Sequence, residues 1–567
     1  MSNYMRHFIS DCESSPKTSR RAMLRNAAVL GLGALSGQRL AMGSTTKTSK
    51  PAAGATQTAG RDQVEVVLAG LDLPDPLIVE AYKRAALQNV LAAVNNRVFS
   101  GYWSVCADGK DFGYGNTYPS LDGHQMSDAL LWLGQVDVVK ANWEYVRSFQ
   151  RPNGQLPIAI LPGMKEVAGT PVDANGGFYK HWVPGDPLRA LGSTTYIQNA
   201  DVIYRYTLDR KWLESQLPSI NLAADFLATL TNKDGLVVGA GYYVERPTRI
   251  EYDGVTQCHA ADAFRRAAEL NQSVDDKATT RRYQELADRI ASHFRVRFWS
   301  NDHFAEYIHP KRGMIDRHGL TDADWSALAT GVAEARQRAI LWKKLKDEKK
   351  FYYGGMPTGI ATQPETYEQW EFAHPDRMDL AAMGRVWYVE CWARARMNDA
   401  EGILETCRRV SEVGRQNGYF WRERYVADGK GGCRGLGARK YCEYPANLIR
   451  IIQRFLLGVE LRLDGALVLA PTVPTSYWDA GFGQVLVWRG QRLRYRMSRD
   501  RMAGQFRGAS PQRLLLRFPV CASDVDVHAA IDSRSIHVTR QGNFVGIELP
   551  AATSDRRFEV RHGKHGM

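Results

Sequence analysis

From about Pro74 to Asp464 the apolar residues recur with a period near 3.6, in segments of 11–22 residues. This helical rhythm limits the chain to a small set of folds. It predicts twelve helices, at 75–96, 123–133, 135–151, 193–208, 210–231, 255–270, 276–298, 321–332, 333–346, 377–396, 399–414 and 444–459. They are of two kinds. MSDALLWLG and PANLIRIIQRFLLGVEL are apolar on nearly every side, whereas 276–298 carries a charged face of Arg281, Arg282, Glu285, Asp288 and Arg289. A helix that is apolar all round must be enclosed, and an amphipathic one has a wet side. Alternation of the two kinds predicts an inner ring of helices wrapped by an outer ring. The connections alternate as well. Some are tight, at Gly134 and Asp209, and six are long, at 97–122, 152–192, 232–254, 299–320, 347–376 and 415–443. All six long ones precede an even-numbered helix, and long loops in a compact domain usually carry function. At one end of a ring they would build a cup.

After Asp464 the period changes to two. GALVLAP, GQVLVWRG, RLRYRMS, RLLLRF, VDVHAAI, SIHVT, FVGIEL and RFEVRH read as short alternating strands punctuated by Gly, Pro, Asp and Ser. Their spacing predicts a C-terminal antiparallel β-sandwich of about 100 residues. The expected divisions are a signal peptide over 1–45, a linker over 46–70, a helical barrel over 71–463 and the sandwich over 464–567.

The net charge of +13 is concentrated at the two ends: residues 1–50 carry +6, residues 465–567 carry +7, and the region between is neutral. Nucleic-acid binding requires a clustered basic face, and the helical region has none to offer. The terminal +6 belongs to an address. Arg20–Arg21 precede Met23–Leu24, an apolar stretch from Ala27 to Leu35 follows, and small residues lie around Ala41–Ser44. This pattern resembles a twin-arginine export signal, so the mature protein is expected to be periplasmic or secreted, after passing the twin-arginine machinery. No run is long and apolar enough for a transmembrane helix. The Gly31, Gly33, Gly37 pattern follows no strand and is rejected as a nucleotide loop. No HExxH or paired Cys-x-x-Cys occurs, and no metal or cofactor is expected. Cys433 and Cys442 lie close in sequence, and whether they pair is left open.

The long loops mix aromatic residues with carboxylates, Arg and His, as in YYVERPTRIEYDG at 242–254, ETYEQWEFAH at 365–374 and GYFWRERY at 418–425. Sugar recognition uses this mixture: rings cover the apolar faces of a pyranose, and polar groups bond its hydroxyls. Hydrolysis then needs two carboxyls, one protonated and one ionised. Glu443, just before Pro445 at the start of the last helix, is placed where a helix N-terminus favours negative charge and suits a general base. Glu251, beside Tyr242, Tyr243 and Tyr252, has the apolar surroundings that raise a carboxyl and suit a general acid. Asp253 competes with it but has a structural alternative as helix N-cap. Glu368, Glu371 and Glu423 are reserves.

These features together resemble the six-hairpin (α/α)6 glycosidases, which include α-L-rhamnosidases and glucoamylases. The resemblance rests on DGHQMSDALLWLGQVDVVKANWEYVRSFQRPNGQLP at 122–157, IEYDG at 250–254, and YPANLIRIIQRFLLGVELRLDGALVLAPTVPTSYW at 444–478. It implies a mainly α fold, an (α/α)6 toroid followed by the β-sandwich. It further implies an exo-acting, inverting hydrolase of neutral glycosides, with Glu251 as acid and Glu443 as base. Asp122, His124, Trp182, Tyr252, Trp370 and Trp421 would be sugar contacts. The acid-rich rhamnosidase signature is not intact before Asp122, and the large N-terminal sandwich of the phosphorylase-like members is absent. Two other readings compete. One is a polysaccharide lyase using Tyr252, His181 and Arg249; the other is a non-catalytic glycan-binding protein.

Overall fold

In the computed structural model the described residues are 53–109, 120–157, 160, 189–239, 252–372, 380–519 and 526–562. Thirteen helices matter for the site. They are α1 (Ala53–Gly70), α2 (Pro76–Arg84), α3 (Leu121–Trp132), α4 (Val136–Arg147), α5 (Arg189–Thr207), α6 (Arg210–Thr229), α7 (Gly254–Gln272), α8 (Lys277–Arg297), α9 (Asp322–Thr330), α10 (Ala335–Leu345), α11 (Gly384–Arg396), α12 (Ala400–Gln416) and α13 (Glu443–Ile451). The odd-numbered helices from α3 to α13 pack each on the next, and α13 packs on α3, so six helices close into a ring. Every residue of α9 and of α13 is buried, and in α3 every residue but Asp122. The outer helix α8 instead buries one stripe, Tyr283, Ala287, Ile290 and Phe294. The expectation of enclosed inner helices and amphipathic outer ones therefore describes the packing. Tight turns follow five inner helices. The sixth pairing joins the two ends of the helical region, with α13 against α2 and its π-helical continuation Ala85–Val90.

Local sequence sets the starts of these helices. Asp209, Asp253, Asp276 and Asp399 each accept a backbone N–H of the first turn, and Thr321 with Asp324 forms a capping box. Each such cap is worth about 1 kcal/mol. Polar pairs cross between inner helices inside the ring. Arg450 Nε and Arg454 Nε of the last inner segment bond Asp128 of α3 at 2.8 and 2.7 Å. Arg266 of α7 reaches both Asp262 and Asp201 of α5. A charge on a helix that is otherwise apolar all round must be paired in this way.

Two expectations about boundaries are corrected. Residues 46–70 are not all linker, because α1 occupies Ala53–Gly70 and buries Val64, Val67 and Leu68 in the core. Their spacing of three and four makes one apolar stripe, which the preceding Ala/Gly/Thr-rich stretch obscures. The last helix ends early: a π turn, Ile452–Leu456, precedes Gly458 at φ +62°, and Val459–Leu461 is a strand. A Cβ on Gly458 would lie 2.1 Å from the Ala470 carbonyl oxygen, so the chain reverses where only glycine fits.

The C-terminal region forms a five-stranded and a six-stranded sheet. Seven of the eight expected strands are present, and SIHVT is instead divided, with Arg534–Ile536 in the six-stranded sheet and Thr539–Gln541 in the five-stranded one. Arg501–Gly508 is a further strand, and its Gly and polar residues hide the alternation in the sequence. The sheets are not wholly antiparallel, since Leu467–Leu469 pairs parallel with Leu514–Leu516. Residues of the ring and of both sheets share one hydrophobic core cluster.

Candidate functional site

The long segments lead into the N-termini of the inner helices, and carboxyl groups gather there: Asp122 on α3, Asp253 before α7, Asp322 and Asp324 on α9, and Glu443 on α13. Helix N-termini favour negative charge. Of these, Glu443 and Asp122 belong to one cluster. Glu443 Oε1 accepts the backbone N–H of Arg385 at 2.6 Å, and Oε2 accepts the Arg385 Nε–H at 2.8 Å. Asp122 Oδ1 accepts the hydroxyl of Tyr441 at 2.7 Å. Arg385 lies in the fields of Glu443, Asp122 and Tyr441 together. Gly384 permits this approach of α11 to α13, because a Cβ there would lie 3.0 Å from Tyr444 N and 3.1 Å from Glu443 Cγ.

The electrostatics of Glu443 depart from the sequence expectation. Burial raises its carboxyl, Arg385 pulls it down and Asp122 pushes it up again, with a net position above an ordinary glutamate. The helix N-terminus does not hold it low. A carboxylate that is raised but kept beside a guanidinium is a stronger base than an exposed one. Glu423 sits nearby. Burial raises it, but Arg424 and the Ala438 N–H hold it below the usual range.

The other expected residues fall in different places. Glu251 and Trp182 lie outside the described residues, as do His181 and Arg249. Asp253 is fully buried, and one oxygen accepts both the N–H and the hydroxyl of Thr256, at 2.8 and 2.7 Å. That is the geometry of its structural alternative. Tyr252 is half-buried, and its hydroxyl accepts from Asn232 Nδ2 at 2.8 Å. Trp370 stands on a short 3-10 turn, half-exposed, with the Arg312 guanidinium 4.0 Å over its ring. His124, two residues after Asp122 on α3, is buried and meets Arg450 Nη2 at 3.3 Å. Trp421 is corrected outright. It is fully buried, its ring lies against Gly414, and its indole N–H donates to Val410 O at 3.0 Å. It packs the core and offers no face to a sugar. Cys433 and Cys442 are both free thiols.

Sequence reasoning missed several groups. Arg385 is read only as part of a helix, and Tyr441 only as part of the long connection 415–443. A second buried cluster joins Glu306 and His318 to Glu371, one of the reserve carboxyls of the sequence analysis, with His318 Nδ1 2.5 Å from Glu306 and Nε2 3.2 Å from Glu371. Tyr367 donates to Glu306 at 2.7 Å and stacks on His318 at 3.5 Å. Burial raises Glu371, but bonds from His318, Tyr307 and the Glu368 N–H outweigh it and bring the carboxyl down to about 2. The available signal was the crowding of aromatic and ionisable residues in 303–318 and 365–372. Among the described residues, no group of three or more His, Cys, Asp or Glu could hold a metal, and no helix is long and apolar enough to cross a membrane.

No family profile matches the chain, and no curated protein does. Solved structures do match in fold. An alpha-L-rhamnosidase from Dictyoglumus thermophilum superposes with a TM-score of 0.55 at 13% identity, over 86% of this chain and 50% of that one. A GH78 family rhamnosidase of Bacillus sp. GL1 gives 0.56 at 11%, over 79% and 42%. An alpha-L-rhamnosidase of Streptomyces avermitilis, solved with L-rhamnose, gives 0.52 at 12%, over 87% and 42%. The chain thus spans half or less of the length of these three proteins. At such identities the likeness is one of fold, and the three proteins that share it are glycoside hydrolases.

Proposed function

We propose that this protein is a glycoside hydrolase of the six-hairpin type, an (α/α)6 toroid followed by a β-sandwich, working at the N-terminal end of its inner helices. The observation that carries this reading is the buried cluster of Glu443, Arg385, Tyr441 and Asp122, where two carboxyl groups act on one another beside a guanidinium. Glu443 serves as general base. Its partner acid is Glu251, or else Asp122, the carboxyl that the fold brings into electrostatic reach of Glu443. In an inverting enzyme the acid protonates the leaving oxygen while the base activates water on the opposite face, with the two carboxyls roughly 6.5–9.5 Å apart. The charge neutrality of residues 51–464 fits a neutral glycoside, and rhamnoside- or glucoside-like substrates released from a chain end suit a cup. The protein acts in the periplasm or outside the cell, after twin-arginine export.

The test is mass spectrometry of products from a panel of plant and bacterial glycans. Products heavier by one water per bond cleaved are expected. Unsaturated products without added water would overturn hydrolysis in favour of elimination. Comparison of Glu251→Gln with Asp122→Asn then assigns the acid: the substitution that abolishes release from a poor leaving group, but spares an activated aryl glycoside, marks it. A fusion of residues 1–50 to a reporter, with Arg20–Arg21 changed to Lys–Lys, tests export.

A further inference from the structure

Beneath the carboxyl layer, along the axis of the ring, lies a cavity of about 500 Å3 lined by residues of all six inner helices. Three buried donors on its wall are orphaned. His124 Nδ1, Gln125 Nε2 and Trp132 Nε1 all line it, all belong to residues no more than 8% exposed, and none has a partner among the described residues. Each is a donor, and the surrounding network fixes two of them so. Arg450, anchored on Asp128, can only donate to His124 Nε2, which leaves the proton of the neutral ring on Nδ1. Burial and then the Arg450 charge hold His124 well below an ordinary histidine, in agreement. Arg450 also donates to Asn447 Oδ1, so Asn447 Nδ2 donates to Gln125 Oε1 at 2.7 Å and the Gln125 amide presents its NH2 to the cavity. Towards the C-terminal ends of the inner helices, Arg265 and Arg396 line the same cavity; both lie in the field of Asp262, but neither makes a direct ion pair with a carboxylate among the described residues. Arg265 bonds only backbone carbonyls, such as Thr330 O at 2.8 Å. Trp132, Tyr388, Trp392 and Phe455 supply aromatic wall.

Asp128, Asp262, Glu269 and Glu460 also line the cavity, but the first three are paired with Arg450, Arg266 and Arg205, and seven arginines line the wall against these four carboxyl groups. A guest rich in acceptors and carrying negative charge would satisfy the orphan donors and both arginines at once. The aromatic wall matches the apolar face of a sugar ring. We infer that the axial cavity, which shares Arg385 with the Glu443 cluster above it, is a second ligand site that takes an anionic sugar, with its charged group at Arg265 and Arg396 and its hydroxyl or ring oxygens toward His124 and Gln125. A phosphorylated hexose and a hexuronate share that chemistry.

The test is calorimetric titration of the full chain with glucose 6-phosphate, glucuronate and glucose. Saturable binding of at least one of the anions is expected, with neutral glucose far weaker, and comparison of the two anions says which charged group the site prefers. Arg265→Gln and Arg396→Gln should each weaken it about tenfold or more, as expected for loss of a charge-assisted bond. Trp132→Phe, which keeps the ring packing, should weaken it by a smaller factor and serves if an arginine variant fails to fold. Glu443→Gln, whose partner Arg385 also lines the cavity, should change the affinity less than either arginine substitution. The inference is overturned if neither anion binds saturably, if glucose binds as tightly, if the arginine variants bind like wild type, or if Glu443→Gln weakens binding more than they do and so places the ligand in the cup.

Discussion

Replacing Glu443 by Gln removes one charge and almost no volume from the cluster. The Gln carbonyl oxygen can still accept the Arg385 N–H, but the carboxylate that faces the guanidinium at 2.7–2.8 Å is gone. Breaking a buried ion pair from one side costs about 3–5 kcal/mol. The Arg385 side chain keeps 13% exposure and still lies in the field of Asp122, so the loss should fall near the lower end, about 3 kcal/mol. The effect on turnover should be separate and larger. A general base contributes about 10²- to 10⁴-fold, and a Gln cannot take a proton from water. Initial rates of sugar release and urea denaturation of the same preparation measure the two quantities independently. Because Glu443 stands above an ordinary glutamate, the acid limb of the wild-type pH–rate profile should also lie above pH about 4.3, and the variant should lack that limb. A variant that loses stability as expected but turns over within about threefold of wild type would refute the base assignment and leave Glu443 a structural ion-pair partner.

Trp421→Phe should lower stability by about 1–3 kcal/mol, through lost volume and an unpaired Val410 carbonyl, while KM stays unchanged; a raised KM would return Trp421 to the binding site. Asp253→Ala should cost about 0.5–2 kcal/mol, and Asp253→Ser should recover most of it with turnover of the folded protein intact; loss of turnover in the Ser variant would make Asp253 the acid. Glu371 is brought from 4.5 to about 2 in the folded state, so its ionised form stabilises the fold above the unfolded value, and that stability is lost as pH falls through the folded value. The stability difference between wild type and Glu371→Gln should therefore be on the order of 3 kcal/mol above pH about 5 and shrink towards pH 2; a difference independent of pH would count against the His318–Glu371 pairing.

Much of the architecture is written locally. Asp209, Asp253, Asp276 and Asp399 stand at the starts of helices because a side-chain oxygen can reach the N–H groups of the next turn, and such a bond needs no knowledge of the rest of the chain. The contrast between α3 and α8, apolar all round against one stripe, is likewise present in a window of a dozen residues. The site is less legible. Glu443 could be singled out because Pro445 and an apolar helix follow it. Trp421 could not be separated from a sugar contact, because GYFWRERY has the same composition whether its tryptophan faces a ligand or Gly414. Ala53–Gly70 read as linker because its stripe of valines and leucine acquires a partner only in the folded core.

The sequence by itself determines the helical region, the change of period after Asp464 and the order of long and tight connections. Each follows from residue spacing along a few turns. The tertiary structure alone decides that α13 closes on α3, that Arg385 meets Glu443 across 58 positions, and that Tyr441 meets Asp122 across 319. It also decides that His124, Gln125 and Trp132 come to the wall of one cavity. Those facts depend on which helix faces share the interior of a closed ring, and no local spacing encodes that choice. A buried charge must find a partner, but the partner is fixed only when packing removes water from both.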